Sequence, residues 1–149
     1  MSSSNNCVPR LLKDLNRCTD LLNDITDIFS KFDPKGVADL SQLTTEDMDK
    51  VVIAVQKEQK EIDDFHVLLI QMSDNPSLVP PRLSKLRHDM RNHVNGIRGY
   101  SEIIVEELSA SQKPIEQQLS LQFKEIHRIS NLLLGVIDTL KEVPLFDRS

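Results

Sequence analysis

The stretch "KLRHDMRNHVNGIRGYSEIIVEEL", residues 85–108, places two histidines, an aspartate and an asparagine inside a run whose apolar residues recur at helical spacing. Leu86, Met90, His93, Ile97, Tyr100 and Ile104 alternate steps of three and four, a pattern that sets one side of a helix against a core and the other in solvent. With Leu83 at position a of a heptad and Leu86 at d, His88 falls at f, away from the seam. Asn92 follows one turn later on the same outer face, while His93 falls on the seam and reads as a packing histidine.

The same rhythm recurs on either side. Leu11, Leu15, Cys18, Leu22, Ile25, Phe29 and Phe32 define a first helix from about residue 9, stopped by "DPKG" at 33–36, where Pro34 lacks an amide hydrogen and Gly36 readily turns left-handed. Met48, Val51, Val55, Glu58, Ile62, Phe65, Leu69 and Met72 mark a second, with Thr44 or Thr45 as its expected cap and Glu58 as its one polar interruption. "SDNPSLVPP" at 73–81 separates it from the third, which runs over about 81–109. The seam positions 72, 76, 79 and 83 nevertheless stay in phase across these prolines, which offers a route for a shift to pass from the N-terminal half to His88. After the short connection "SASQKP", Ile115, Leu119, Gln122, Ile126, Ile129, Leu133, Val136 and Leu140 define a fourth helix over 115–141, antiparallel to the third. No span alternates with period two, so the expected fold class is all-α.

The totals narrow the function classes. The 149 residues suit one domain of common size, and with 39% hydrophobic but only 4% aromatic residues and no Trp, the core must be built from Leu, Ile and Val. A net charge of -5 supplies no overall basic field for a phosphate backbone or an anionic lipid surface, so neither nucleic acid nor membrane is an expected partner. The longest apolar runs, "VVIAV" and "VLLI", are far shorter than the roughly 20 residues that span a bilayer. "MSSSNNCVPR" shows no secretory pattern, and Cys7 and Cys18 form neither a disulfide framework nor a metal spacing, so a cytoplasmic location is expected.

An outward imidazole beside a carboxylate, with an amide one turn away, suits phosphoryl transfer through histidine. A neutral ring nitrogen is a competent nucleophile near neutral pH, and Asp89 could hold the other ring N–H or act as a base. Asn92 could orient water or phosphoryl oxygens. The pattern H-D-x-x-N also arises on ordinary solvated helix surfaces, and Arg87, Arg91 and Arg98 fit equally as partners of nearby carboxylates or as contacts for an acidic partner. A metal-dependent hydrolase would need further ligands at one point. His88 and His93 are five apart, and His66 and His127 lie on other segments without a ligand pattern, so no metal or other cofactor is expected.

"LRHDMRNHVNGIRGYSEIIVEEL" resembles the phosphoacceptor box of sensor histidine kinases, whose dimerisation and histidine-phosphotransfer domain carries a pattern close to H-(D/E)-x-R-(T/N)-P-L followed by an apolar helix with I-x-G-Y. His88, Asp89, Arg91, Asn92, Ile97, Gly99 and Tyr100 match it, and "LQFKEIHRISNLLLGVIDTL" is similar to the second helix of that hairpin. The resemblance covers about residues 81–141. It implies that His88 is the phosphoacceptor, Asp89 its acidic assistant and Asn92 the residue associated with dephosphorylating the regulator, with Arg87 and Arg91 available to the partner. It also implies a hairpin that dimerises into a four-helix bundle, preceded by a helical input or oligomerisation segment over 1–75. One chain could alternatively close its own four-helix bundle; the resemblance favours the homodimer.

Two departures qualify the match. His93 stands where the family has proline, so a weaker bend after the box is expected. Only "EVPLFDRS" follows the last helix, and the four glycines form no nucleotide motif, so autophosphorylation by this chain alone is not expected. The expected function is a histidine phosphotransfer module exchanging a phosphoryl group with a response-regulator receiver domain, or accepting one from a separate kinase catalytic domain. The competing expectation is a non-catalytic dimeric scaffold that binds the regulator.

Overall fold

The computed structural model describes residues 3–74 and 80–141, and among these the chain forms helices and turns with no strand. The elements are α1 (Ser3–Ser30), α2 (Pro34–Ala38), α3 (Gln42–Asp74), α4 (Pro80–Ser109) and α5 (Pro114–Ile137). No helix of the described residues is long and apolar enough to cross a membrane. The in-phase positions 76 and 79, like the segment "EVPLFDRS", lie outside the described residues.

Local chemistry sets the ends. Helix α1 begins before Pro9, which therefore lies inside it and not at its start as the sequence suggested. "DPKG" is not a plain stop either, because it nucleates α2. Asp33 caps this turn by accepting the Lys35 N–H at 2.9 Å, and Pro34, which has no N–H to lose, takes the first position. Gly36 is needed for closeness and not for a left-handed turn: no described residue has positive φ, and a Cβ at this position would collide with Cγ2 of Ile115 on α5. The cap of α3 is Ser41, whose Oγ accepts the Thr44 N–H at 3.2 Å, so the helix starts a turn earlier than a threonine cap would place it. Thr44 is buried instead.

The four long helices pack in a ring: α3 against α4, α4 against α5, and α1 against both α5 and α3. Neighbours run antiparallel. On α4 and α5, Glu102 faces His127, Arg98 faces Asn131 and Arg91 faces Asp138. On α3 and α4, Glu61 stands 4.0 Å from His93, and Gly96 lies against Ala54. The ends of α1 reach the opposite ends of α5, with Arg10 on the carbonyl of Thr139 and Phe29 edge-on to Phe123. The segments expected as 1–75 and 81–141 thus contribute side chains to one core.

That core matches the α1 seam closely, since Leu11, Leu15, Cys18, Leu22 and Ile25 are all buried. On α4 and α5 the buried stripe is rotated. Leu83, Met90, Val94, Ile97, Ser101, Ile104 and Leu108 are buried on α4, and Leu119, Ser120, Phe123, Ile126, Ile129, Ser130, Leu133, Leu134 and Ile137 on α5. At alternate turns the residue one position further along is buried, in place of His93, Tyr100, Gln122 and Val136 and beside the expected Ile129. A helix touching two neighbours must bury a stripe wider than a two-stranded seam.

Glu58 of α3 is the electrostatic anomaly of this core. It is fully buried, and neither carboxylate oxygen has a hydrogen-bond partner among the described residues. Loss of hydration, reinforced by Glu61, pushes its carboxyl up to about 9, so it is neutral at pH 7. Burial, with Glu58 as the next cause, likewise pushes the Cys18 thiol up to about 12 and leaves it unreactive.

Because folding raises the Glu58 pKa from about 4.5 to about 9, the folded state holds the extra proton between these values. Stability therefore falls as pH rises through this window, by on the order of 1 kcal/mol per pH unit where the difference is complete. In thermal melts at pH 5 to 9, Glu58→Leu is expected to flatten the decline and to be the more stable protein at pH 8 to 9. Parallel curves for the two proteins would show that Glu58 does not carry the alkaline loss.

Candidate functional site

The rotation of α4 sorts the residues of the candidate site. With Met90, Val94 and Ile97 directed inward, His88 and Asn92 are exposed on the outer face, one turn apart. Asn92 Nδ2 stands 3.3 Å from His88 Nε2. An amide nitrogen only donates, so this bond requires Nε2 to carry the lone pair and places the ring hydrogen of the neutral imidazole on Nδ1. Nε2 thus holds the ring's basic lone pair, with the Asn92 amide over it. Any group that approaches Nε2 must displace that amide.

Asp89 points to the other side of α4. Its Oδ2 accepts a hydrogen bond from Lys85 Nζ at 2.9 Å, one turn back, and this bond holds its carboxyl below the usual range. Among the described residues it makes no hydrogen bond to His88. It lines a groove between α3 and α4 with Lys60, Glu61, Asp64 and Leu86. The structure brings His88 and Asn92 together, and places Asp89 as a lysine-bound neighbour in a separate groove.

His88 itself borders an open cleft of about 540 Å³ between α4 and the end of α5, lined by Ser84, Lys85, Arg87, His88, Arg91, Asp138 and Lys141. Four cationic side chains and one carboxylate line this cleft, with the Lys85 ammonium held by Asp89 and the Arg91 guanidinium by Asp138. The acidic whole conceals a locally basic site that attracts phosphate oxygens. Arg91 pairs with Asp138, half-exposed at the cleft edge, whereas Arg87 lines the cleft beside His88. Arg98, the third arginine of this helix, reaches Asn131 at 3.4 Å.

The cleft also depends on the turn after α5. Arg10 of α1 donates to the carbonyls of Thr139 and Lys141, and Thr139 Oγ1 donates to Asp14 at 2.8 Å. These contacts hold Asp138 and Lys141 beside α4. Sequence reading missed Lys85, Asp138 and Lys141: a hairpin symmetric about its turn at 110–113 would pair 102 with 121, whereas the structure pairs 102 with 127, 98 with 131 and 91 with 138. His93 is partly buried near Glu61, beside the seam position that Val94 takes in its place. No group of three or more His, Cys, Asp or Glu side chains suited to a metal ion gathers among the described residues.

The chain matches no protein-family model, and no curated protein or solved structure shows significant similarity to it.

The hydrogen bond across one turn of α4 fixes an expected tautomer. In nitrogen NMR spectra of the neutral ring, His88 Nε2 should resonate as an unprotonated nitrogen and Nδ1 as a protonated one. Asn92→Ala should bring the two shifts towards each other as both tautomers become populated. Unaltered shifts in the variant would mean that Asn92 does not set the ring.

Proposed function

We propose that the chain is a histidine phosphotransfer module of two-component or phosphorelay signalling, in which His88 accepts a phosphoryl group and exchanges it with the aspartate of a response-regulator receiver domain. The observation that carries this reading is an exposed imidazole with a lone pair on Nε2, bordering a cleft lined by Lys85, Arg87, Arg91 and Lys141. The resemblance of residues 81–141 to the phosphoacceptor hairpin of sensor histidine kinases supplies the partner class. On this reading the protein works in the cytoplasm, and a separate kinase catalytic domain with ATP is the other donor.

The chemistry balances with few groups. The Nε2 lone pair attacks phosphorus, the bond from phosphorus to the aspartyl oxygen breaks, and the receiver's carboxylate leaves with the electron pair. The ring then carries a phosphoryl group on Nε2 and a hydrogen on Nδ1. Loss of the Nδ1 hydrogen to water neutralises the ring. Arg87 and Lys141 offset the charge of the phosphoryl oxygens, and Asn92 donates to them after leaving Nε2. Return of the group to an aspartate reverses these steps.

One observation favours the scaffold reading as the second choice. At rest Asn92 covers Nε2 and Asp89 is tied to Lys85, an arrangement that a receiver-binding protein without transfer activity could equally keep. Both readings include a receiver surface, and they part at the imidazole. Incubation with phosphorylated receiver domains, or with kinase catalytic domains and ATP, should give acid-labile label on the natural protein and none on His88→Ala. Absence of label from every donor, with receiver binding that survives His88→Ala, would establish the scaffold.

Self-association is a separable part of the reading. In the homodimer implied by the resemblance, the seams of α4 and α5 would meet a second hairpin, yet in this structure α1 and α3 of the same chain fill them. One chain thereby supplies four helices, and the expected solution mass is that of a monomer, 17.0 kDa. Light scattering that returns twice this mass would instead support exchange of hairpins between two copies.

A further inference from the structure

We propose that Asp138 holds Arg91 in reserve, and that Arg91 leaves this carboxylate for the phosphoryl group once His88 carries it, prolonging the life of the phosphohistidine. This inference rests on the reading of His88 as a phosphoacceptor and adds a residue pair that stabilises its product.

The geometry gives the exchange its ease. Arg91 lies three residues after His88, a spacing that makes side chains neighbours on a helix surface, and both border the same cleft. Its present partner comes from the end of α5, and the side chains of Arg91 and Asp138 are 47% and 56% exposed. An ion pair so open to water contributes little, so breaking it costs little. A phosphoryl group brings a charge of about -1.5 to -2 and three acceptor oxygens, against the single charge of Asp138. The planar guanidinium can meet two of those oxygens at once, which a lysine in its place could not.

The α5 end does not follow Arg91 when it moves. The carbonyls of Thr139 and Lys141 remain on Arg10, and the Thr139 hydroxyl remains on Asp14, so Asp138 is left at the cleft edge as a competing carboxylate. The phosphorus–nitrogen bond of phosphohistidine breaks fastest when the group is protonated. A guanidinium on the phosphoryl oxygens favours the unprotonated form and slows that cleavage. Asp138 works against it by drawing Arg91 away.

The test needs no signalling partner. Phosphoramidate phosphorylates imidazoles directly: the ring nitrogen attacks phosphorus, the bond to the amine nitrogen breaks, and ammonia leaves with a proton. Label decay on the full chain is followed by phosphorus NMR at pH 7 to 8, with His88→Ala identifying the His88 signal among those of the other histidines. Asp138→Asn is expected to lengthen the His88 phosphoryl lifetime about two- to five-fold, the range set by an exposed ion pair. Arg91→Ala should shorten it, Arg91→Lys should recover part of the loss, and Asp138→Asn should have no effect once Arg91 is alanine.

A purely structural pair would instead give equal decay in all folded variants, or additive effects that track their melting temperatures, and either result overturns the proposal. So does the absence of any His88-dependent label, because it removes the accessible imidazole on which the exchange depends. Lifetimes that behave as expected, in a protein that exchanges nothing with receiver domains, would uphold the arginine exchange while rejecting the relay.

Discussion

The rotational setting of α4 about its own axis governs everything at the candidate site. Burial of Met90, Val94, Ile97, Ile104 and Leu108 fixes that setting, because each such side chain loses on the order of 1.5 to 3 kcal/mol if it is turned to water. Once it is fixed, the remaining directions follow without further choice. His88 and Asn92 face outward, Asp89 leans over the α3 groove, and Arg91 leans towards α5. A turn of one residue about the axis, roughly 100°, would exchange these roles. Which side chains meet at this surface is therefore specified by apolar residues that never touch it.

The sequence made the helices and the outward histidine legible, and it did so through periodicity alone. It misplaced the inner edge of the stripe for a reason visible in the residues. At alternate turns of α4 the choice lay between His93 and Val94, and between Tyr100 and Ser101. Neither pair is decisive, since histidine and tyrosine carry apolar bodies and serine is small enough to bury. A heptad measured for two strands favours the first of each pair. A ring in which α4 meets both α3 and α5 favours the second, and only the tertiary arrangement decides between them. On α1 there was no such competition, and there the seam matches the core residue for residue from Leu11 to Ile25.

The electrostatics were less legible, because charge in the sequence is a sum and charge in the structure is a placement. A net charge of -5 predicts no attraction for phosphate, yet Lys85, Arg87, Arg91 and Lys141 line the one cleft that His88 borders. Asp89, adjacent to His88 in the chain, is separated from it in space by the 100° step between consecutive helical residues. Asn92, four residues away, is the nearer partner. Glu58 shows the opposite effect, where a residue that composition counts as charged is kept neutral by its surroundings. Adjacency along the chain is a poor guide to chemistry on a helix, and spacing by a full turn is a better one.

The contacts of Arg10 and Asp14 with the turn at 138–141 join groups separated by 125 to 131 residues in the chain. Their order of formation follows from that separation. The α4–α5 hairpin closes over a short loop and can form early, whereas the ends of α1 and α5 must find each other across nearly the whole described chain, at a larger entropic cost. During synthesis His88 is added well before residues 138–141. Lys85, Arg87 and Arg91 are thus made with the imidazole and Asp138 and Lys141 last, so completion of the cleft reports that both ends of the fold have been assembled.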